Sequence, residues 1–254
     1  MESVILNQYV LAGLFFCITV IYSAVGLGGG SAYTALMTVA GVGYSVIPTM
    51  SLFLNIIVTS ITSVSFLRAG HGRRGLILPV LLTSVPGAFL GGMLDIPARL
   101  FEWILLVSLI LVAVRIYVFP GNGSGTKPGP IQTLGLSLSI GLIFGLLSGI
   151  VGIGGGIYLI PLIRIFNLGT TKEASAAGAL FTLANSLSGF TSRVQFHGFN
   201  VLAFLPLVLA VVAGGIIGAY FGAFRFAPNK IQKILGIIIL AAIIVLAVRI
   251  LNGA

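Results

Sequence analysis

The sequence predicts an all-α integral membrane protein built from two inverted repeats. Of its 254 residues, 58% are hydrophobic and only 7% are charged, whereas about a quarter of the residues of a soluble domain are charged. Several apolar runs reach the roughly 20 residues that a helix needs to cross a bilayer. In addition, one ordered set of motifs occurs twice along the chain. Composition and run length predict the membrane class, and the repeated motifs predict the two halves.

The duplication is visible in short motifs that recur in the same order. A glycine-rich pentad at 26–30 recurs at 152–156. The dipeptide His-Gly at 71–72 recurs with the same spacing at 197–198. Internal repeats of this kind decide the architecture of a chain. We therefore interpret the sequence as a duplication.

A polar segment separates the two copies. Residues 120–130 are rich in glycine and proline, a composition that neither continues a helix nor buries a core. The chain is thus divided into a first transmembrane repeat at 1–119, a linker at 120–130 and a second transmembrane repeat at 131–254.

Each repeat is predicted to contain a long helix, a Gly-rich break, a short helix and three further helices, or about 8 to 10 membrane segments in total. The short helices are predicted near 31–40 and 157–166. The further helices are predicted near 48–67, 76–94 and 98–119 in the first repeat, and near 172–192, 201–222 and 229–251 in the second.

The short helices also set the relative orientation of the repeats. Each is too short to span alone, so it either extends a tilted pass or returns as a re-entrant segment. In both cases each repeat makes an odd net number of crossings, and the second repeat is inverted. When the loop at 68–74 is placed in the cytoplasm, ten of the 13 Lys and Arg residues fall on that side. This distribution follows the positive-inside tendency and places both termini outside.

The two pentads are the first candidates for a binding site. A dinucleotide fold is excluded because Ser31 stands where the last glycine of the fingerprint belongs and no strand precedes it. Glycines can also serve only to bring membrane helices together. Because each pentad follows a long helix and opens a short one, we expect two loops that meet near the middle of the membrane. Their N–H groups and positive helix ends would face an anion. The candidate residues are Gly28, Gly29, Gly30 and Ser31 in the first loop and Gly154, Gly155 and Gly156 in the second.

Two asparagines are further candidates. Asn55 and Asn185 each belong to a stripe of polar residues on one face of a helix, and they occupy corresponding places in the two halves. A side-chain amide is costly to leave unpaired in a membrane. We expect both to contact substrate, with hydrogen bonding between helices as the alternative.

Basic residues end the same two helices. Arg68 is predicted at the cytoplasmic mouth and Arg193 at the outer mouth, where a guanidinium group could hold an oxyanion. Arg68 could instead act only as an anchor on the inner side. His71 and His197 could carry protons, although interfacial histidines are more often ordinary loop residues.

Other function classes lack the residues they need. The four acids, Glu2, Asp95, Glu102 and Glu173, each lie near a predicted span end, so paired carboxylates or a metal cage cannot form in the membrane. No catalytic residue, metal ligand or cofactor is therefore expected. The net charge of +9 is scattered between spans, which is typical of orientation signals and not of a nucleic-acid surface. The single cysteine, Cys17, leaves no intrachain disulfide.

The second half carries the clearest family motifs: the pentad at 152–156, the apolar Ile-Pro-Leu at 160–162, and Lys-Glu-Ala at 172–174 opening the helix that contains Asn185. In this pattern, duplicated over nearly the whole chain, the sequence resembles the sulfite exporter TauE/SafE family of membrane anion transporters. The resemblance implies transport of sulfite, sulfonates or related small anions across the bacterial inner membrane, often outward.

Together these features predict a multi-pass protein of the bacterial cell inner membrane that acts as a secondary transporter. It would move a small oxyanion, such as sulfite, an organosulfonate or a related sulfur-containing anion, by alternating access. The alternatives are a non-transporting membrane scaffold or assembly factor, and a carrier for another small anion such as a carboxylate. The expected partners are the small anionic substrate and the lipid bilayer, with no nucleic acid, and the glycine-rich exposed helices are compatible with a homodimer.

Overall fold

The computed structural model describes residues 8–118, 130–197, 204–224, 239–240, 243–244, 246–248 and 250–251. The regular elements within these ranges are all helical. The predicted linker at 120–130, apart from its last residue, and most of the predicted helix at 229–251 lie outside the described residues.

The helices follow the predicted order. The half of the chain predicted as the first repeat contains α1 (Gln8–Ala24), α2 (Gly30–Val39), α3 (Ile47–Arg68), α4 (Arg74–Met93) and α5 (Ala98–Val118). The second repeat contains α6 (Pro130–Val151), α7 (Gly156–Ile165), α8 (Thr171–His197) and α9 (Leu205–Phe224). The two short helices are shorter than a membrane span, and α8 continues past its predicted end at 192.

Local chemistry explains where the shorter elements and α8 begin. Gly29 and Gly155 precede α2 and α7 with φ values of 100° and 86°, a left-handed conformation that favours glycine. The start of α8 is a capping box in which the Glu173 carboxylate accepts from the N–H of Thr170 at 2.7 Å, while the Thr170 hydroxyl accepts from the N–H of Glu173 at 3.2 Å. The breaks are therefore fixed by glycine, and the α8 start by side-chain capping.

Within the described residues, four helices are long and apolar enough to cross a membrane: α3, α4, residues 134–151 of α6, and α9. Large apolar side chains such as Leu78, Leu82 and Leu209 are more than half exposed. In contrast, most polar residues on the stripes of α3 and α8 are buried: Ser51, Asn55, Thr59 and Thr62 on α3, and Thr182, Asn185 and Ser192 on α8. An apolar exterior around a polar interior suits a lipid solvent. α8 is more polar than these four helices, and its polar side chains can lie in a membrane protein because they face the interior.

The helix contacts between the repeats are reciprocal. α1 packs along α9 while α4 packs along α6, and α3 contacts α9 while α4 contacts α8. α3 and α8 pack against each other. The order of the helices along the chain matches α1, α3 and α4 with α6, α8 and α9, and exchanging the members of each match leaves this contact pattern unchanged.

Glycines allow the outer pairs to approach closely. A Cβ atom on Gly149 of α6 would lie 2.6 Å from the backbone nitrogen of Gly92 in α4. A Cβ atom on Gly218 of α9 would lie 2.8 Å from the carbonyl carbon of Val20 in α1. These positions have no room for a side chain, as in other closely packed membrane helices.

The paired helices α1 and α9 run in the same direction, because Gly214 lies beside Thr19 and Gly222 lies beside Ala24. The pair α4 and α6 is also parallel, because Gly141 lies beside Val80 and Gly149 lies beside Ala88. The long helix before each break therefore runs beside a parallel helix from the other half of the chain.

The equivalent helices α3 and α8 run in opposite directions. Lys172 at the start of α8 places its Nζ 5.9 Å from the ring centre of Phe66 at the end of α3. Arg193 near the end of α8 lines the same small cavity as Pro48 at the start of α3. This antiparallel pair forms the centre of the molecule, between the two glycine breaks.

Candidate functional site

The two glycine loops meet, as the sequence predicts. A Cβ atom on Gly30 would lie 2.6 Å from the carbonyl oxygen of Ile153 and 2.9 Å from that of Gly152. The loops therefore touch through their backbones, and the starts of α2 and α7 lie at this junction.

Side chains of α3 hold the loops together. The Ser51 hydroxyl donates to the Gly152 carbonyl oxygen at 2.8 Å and lies 3.3 Å from that of Gly30. The Asn55 Nδ2 donates to the same Gly152 oxygen at 3.2 Å. A helix of the first repeat thus binds the break of the second.

Side chains of α8 close the other side of the junction. The N–H of Gly156 donates to the Thr182 hydroxyl oxygen at 3.0 Å. A Cβ atom on Gly154 would lie 3.0 Å from the Asn55 Nδ2 and 3.2 Å from the Ser186 Oγ. Asn55, Thr182 and Ser186 therefore converge on the second loop.

The loops retain unpaired hydrogen-bond donors. Among the described residues, the backbone N–H groups of Gly28, Gly29, Ile153, Gly154 and Gly155 have no hydrogen-bond acceptor. Such groups are normally paired when they are buried. Several unpaired backbone N–H groups at one junction are typical of a site that binds an anion through its backbone.

Buried side-chain atoms without partners lie in the same part of the protein. Within the described residues, these atoms include the Asn55 Oδ1, the Ser186 Oγ and both amide atoms of Asn185, and all three residues are 0% exposed. An unpaired polar atom in a dry interior costs free energy. The site therefore has hydrogen-bonding capacity that its own side chains do not use.

The structure changes the predicted correspondence between the two asparagines. At the equivalent positions Gly30 and Gly156, an added Cβ atom would collide with the Asn55 amide nitrogen and with the Thr182 hydroxyl, respectively. Thr182 is therefore the spatial counterpart of Asn55, and Asn185 lies almost one helical turn further along α8.

Ser31 lies in the first turn of α2 and is 2% exposed. Its hydroxyl is hydrogen-bonded to the Tyr22 hydroxyl at 3.1 Å. This contact joins α2 to α1, so the Ser31 side chain already has a partner on the first helix.

The two arginines lie in different surroundings. Arg68 is exposed at the end of α3. Arg193 is only 4% exposed, and its Nε and Nη2 donate to the carbonyl oxygens of Gly149 and Ile150 at 3.0 and 2.8 Å. These carbonyls end α6, so Arg193 acts as a C-terminal cap directly before the second loop.

Sequence reasoning missed Ser186 and the partner of Lys172. Ser186 follows Asn185 directly, and its position beside Gly154 depends on the rotation of α8, which the sequence does not reveal. The Lys172 Nζ donates to the carbonyl oxygens of Gly222 and Ala223 at the end of α9. A lysine in the first turn of a helix carries no sequence signal for such a distant partner.

The sequence is similar to a known family over nearly all its length. The family model described as "Sulfite exporter TauE/SafE" matches residues 11–246. The probable membrane transporter protein y4hK of Sinorhizobium fredii is 30% identical, with 91% of this chain and 95% of that protein covered. The probable membrane transporter protein YjnA of Bacillus subtilis is 27% identical, with 92% and 96% covered. No solved structure matches the chain. The protein therefore belongs to the sulfite exporter TauE/SafE family of multi-pass membrane transporters.

Proposed function

We propose that the protein is a secondary transporter that moves a small oxyanion, such as sulfite, an organosulfonate or a related sulfur-containing anion, across the bacterial inner membrane. The observation that carries this proposal is the junction of the two glycine loops. Its unpaired N–H groups lie at the starts of α2 and α7, where the helix dipoles favour negative charge.

The junction suits an oxyanion better than a cation or a neutral solute. Oxyanions accept several hydrogen bonds from diverging directions, and the loops supply backbone donors from two sides. The Ser186 hydroxyl adds one more donor beside Gly154. Among the described residues, no carboxylate is buried, whereas a cation in a membrane interior needs a negative partner.

Alternating access would arise from movement of two inverted repeats around the junction. The opposite directions of α3 and α8 and the reciprocal helix contacts support this arrangement. Arg73, directly before α4, contacts the segment between α7 and α8. It donates to the Leu168 carbonyl oxygen at 2.9 Å and lies 3.9 Å from the Glu173 carboxylate at the start of α8. We assign these contacts to the closed cytoplasmic side, with both chain termini outside.

The predicted residues take different roles in this proposal. The unpaired N–H groups of Gly28, Gly29, Gly154 and Gly155 supply backbone donors, while Gly30 and Gly156 open the short helices. The Asn55 Nδ2 holds the second loop, and its Oδ1 lies toward Gly28. Asn185 lends its unpaired amide to the substrate as the carrier moves. Arg193 shapes the site through α6, and Arg68 lies on the cytoplasmic approach.

Transport by the purified protein in liposomes tests the proposal. We expect saturable uptake of at least one anion in a panel of sulfite, sulfonates, thiosulfate and carboxylates. Uptake of a carboxylate alone would identify a different small anion as the substrate, and no anion-dependent flux would indicate a scaffold or assembly role.

A matched pair of glycine variants connects the flux to the junction. Gly154→Ala places a methyl group against Thr182, Asn55 and Ser186 at a backbone φ of 84° that favours glycine, whereas Gly13→Ala on α1 meets nothing within 4 Å. Uptake is therefore compared per amount of folded protein, measured by thermal unfolding in detergent. We expect Gly154→Ala to lower uptake at least about tenfold, the effect of roughly 1.4 kcal/mol, and Gly13→Ala to transport normally. Equal uptake by the two variants would show that the substrate does not pass through the junction.

A further inference from the structure

The helix ends at the junction supply a limited amount of positive charge. The N-terminus of a helix is equivalent to roughly half an elementary charge. α2 and α7 both begin at the junction, and the Gly30 end of α2 lies against Gly152 and Ile153. Together the two ends provide about one positive charge.

The negative helix ends nearby are balanced by cations at the two ends of α8. Arg193 binds the last-turn carbonyls of α6 at 3.0 and 2.8 Å. Lys172 binds the carbonyls of Gly222 and Ala223 that end α9, and Gly222 lies against Ala24 at the end of α1. Arg193 therefore offsets the negative end of α6 and Lys172 that of α9, so both cations are engaged by carbonyl groups. The unpaired N–H groups at the starts of α2 and α7 face the junction itself.

The side chains at the junction are neutral. Asn55, Thr182 and Ser186 line the second loop. Arg193 is the only charged side chain among the fully buried residues that the structure describes. In addition, the unpaired Oδ1 of Asn55 lies against Gly28, where a hydrogen-bond acceptor disfavours a second bare negative charge.

From this charge balance we infer that the transported substrate carries a single negative charge. This inference rests on the proposed transport function and specifies its substrate class. One negative charge matches the two helix ends, whereas a second would remain without a partner in a medium of low dielectric constant. A singly charged sulfonate or hydrogensulfite therefore binds, and a doubly charged anion of similar size does not.

Flux measurements with wild-type protein in liposomes test the inference directly. Methanesulfonate and sulfate are compared at equal concentration and pH, and ethanesulfonate is compared with ethanedisulfonate in the same way. We expect the singly charged member of each pair to enter at least about tenfold faster. If the doubly charged member enters as fast, the inference is wrong while the transport function stands. If none of these anions or sulfite enters, the proposed function itself fails.

Two substitutions of equal size separate charge from shape. Ser186→Asp adds a negative charge beside Gly154, whereas Ser186→Asn adds the same bulk without charge. We expect methanesulfonate uptake by Ser186→Asp to be at least about tenfold below that of Ser186→Asn. Equal, measurable uptake by the two variants would contradict the inference, and the wild-type comparison decides it if neither variant folds.

Discussion

The Asn55 amide of the first repeat donates to the Gly152 carbonyl oxygen of the second at 3.2 Å. Its nitrogen thereby fixes the second glycine loop, while its Oδ1 has no partner among the described residues. One side chain thus serves both structure and the candidate site. The relationship couples the geometry of one repeat to the break in the other.

The two asparagines should respond differently to truncation. Asn55→Ala removes one of the two donors to the buried Gly152 carbonyl, which keeps the Ser51 hydroxyl, and we expect the free energy of unfolding to fall by about 0.5–1.5 kcal/mol. Asn185→Ala removes an amide without a partner among the described residues, so we expect little loss of stability and lower anion flux. Thermal unfolding in detergent and liposome uptake measure the two effects, and equal destabilisation by both variants would contradict this assignment.

Close packing of α6 on α4 should depend on its glycines. Gly149→Ala would drive a methyl group into the backbone of α4, whereas Gly135→Ala on the same helix meets nothing within 4 Å. We expect Gly149→Ala to destabilise the protein by about 1–3 kcal/mol and Gly135→Ala to leave its unfolding temperature unchanged. A Gly149→Ala protein as stable as wild type would show that the two helices can separate without cost.

The sequence predicted the helix order and the position of both breaks because glycine and hydrophobic run length are local signals. Gly29 and Gly155 precede their short helices as expected. The finding that Thr182, and not Asn185, is the spatial counterpart of Asn55 could not be predicted in this way. A shift of three residues keeps a side chain on nearly the same helix face, so the polar stripe alone does not fix which members are equivalent.

The roles of the basic residues also depended on tertiary structure. Arg193 was expected at an outer mouth, but its guanidinium nitrogens bind carbonyls at the end of α6. Which helix end lies within reach of a long side chain depends on packing between distant segments. The sequence marked Arg193 as unusual because it opposes the positive-inside tendency, but it did not identify the partner.

Arg193 and Arg68 form a matched pair for testing this difference. Arg193→Ala leaves two carbonyl groups at the end of α6 without their donors, and we expect a loss of about 2–4 kcal/mol in unfolding free energy together with lower flux. Arg68 is exposed, so Arg68→Ala should change stability by less than about 0.5 kcal/mol. Denaturation in detergent checks both values, and an Arg193→Ala protein of wild-type stability would mean that the cap is dispensable.

The contact between Arg73 and Glu173 should contribute little to stability although it joins the two repeats. The side chains are 56% and 27% exposed, and their charged atoms lie 3.9 Å apart, which is typical of a weak surface ion pair. Glu173→Gln removes the charge and retains a residue that can complete the capping box with Thr170. In a double-mutant cycle with Arg73→Ala, we expect a coupling free energy of at most about 1 kcal/mol that falls as salt is raised. A coupling above about 2 kcal/mol that is insensitive to salt would instead identify this contact as a strong lock between the repeats.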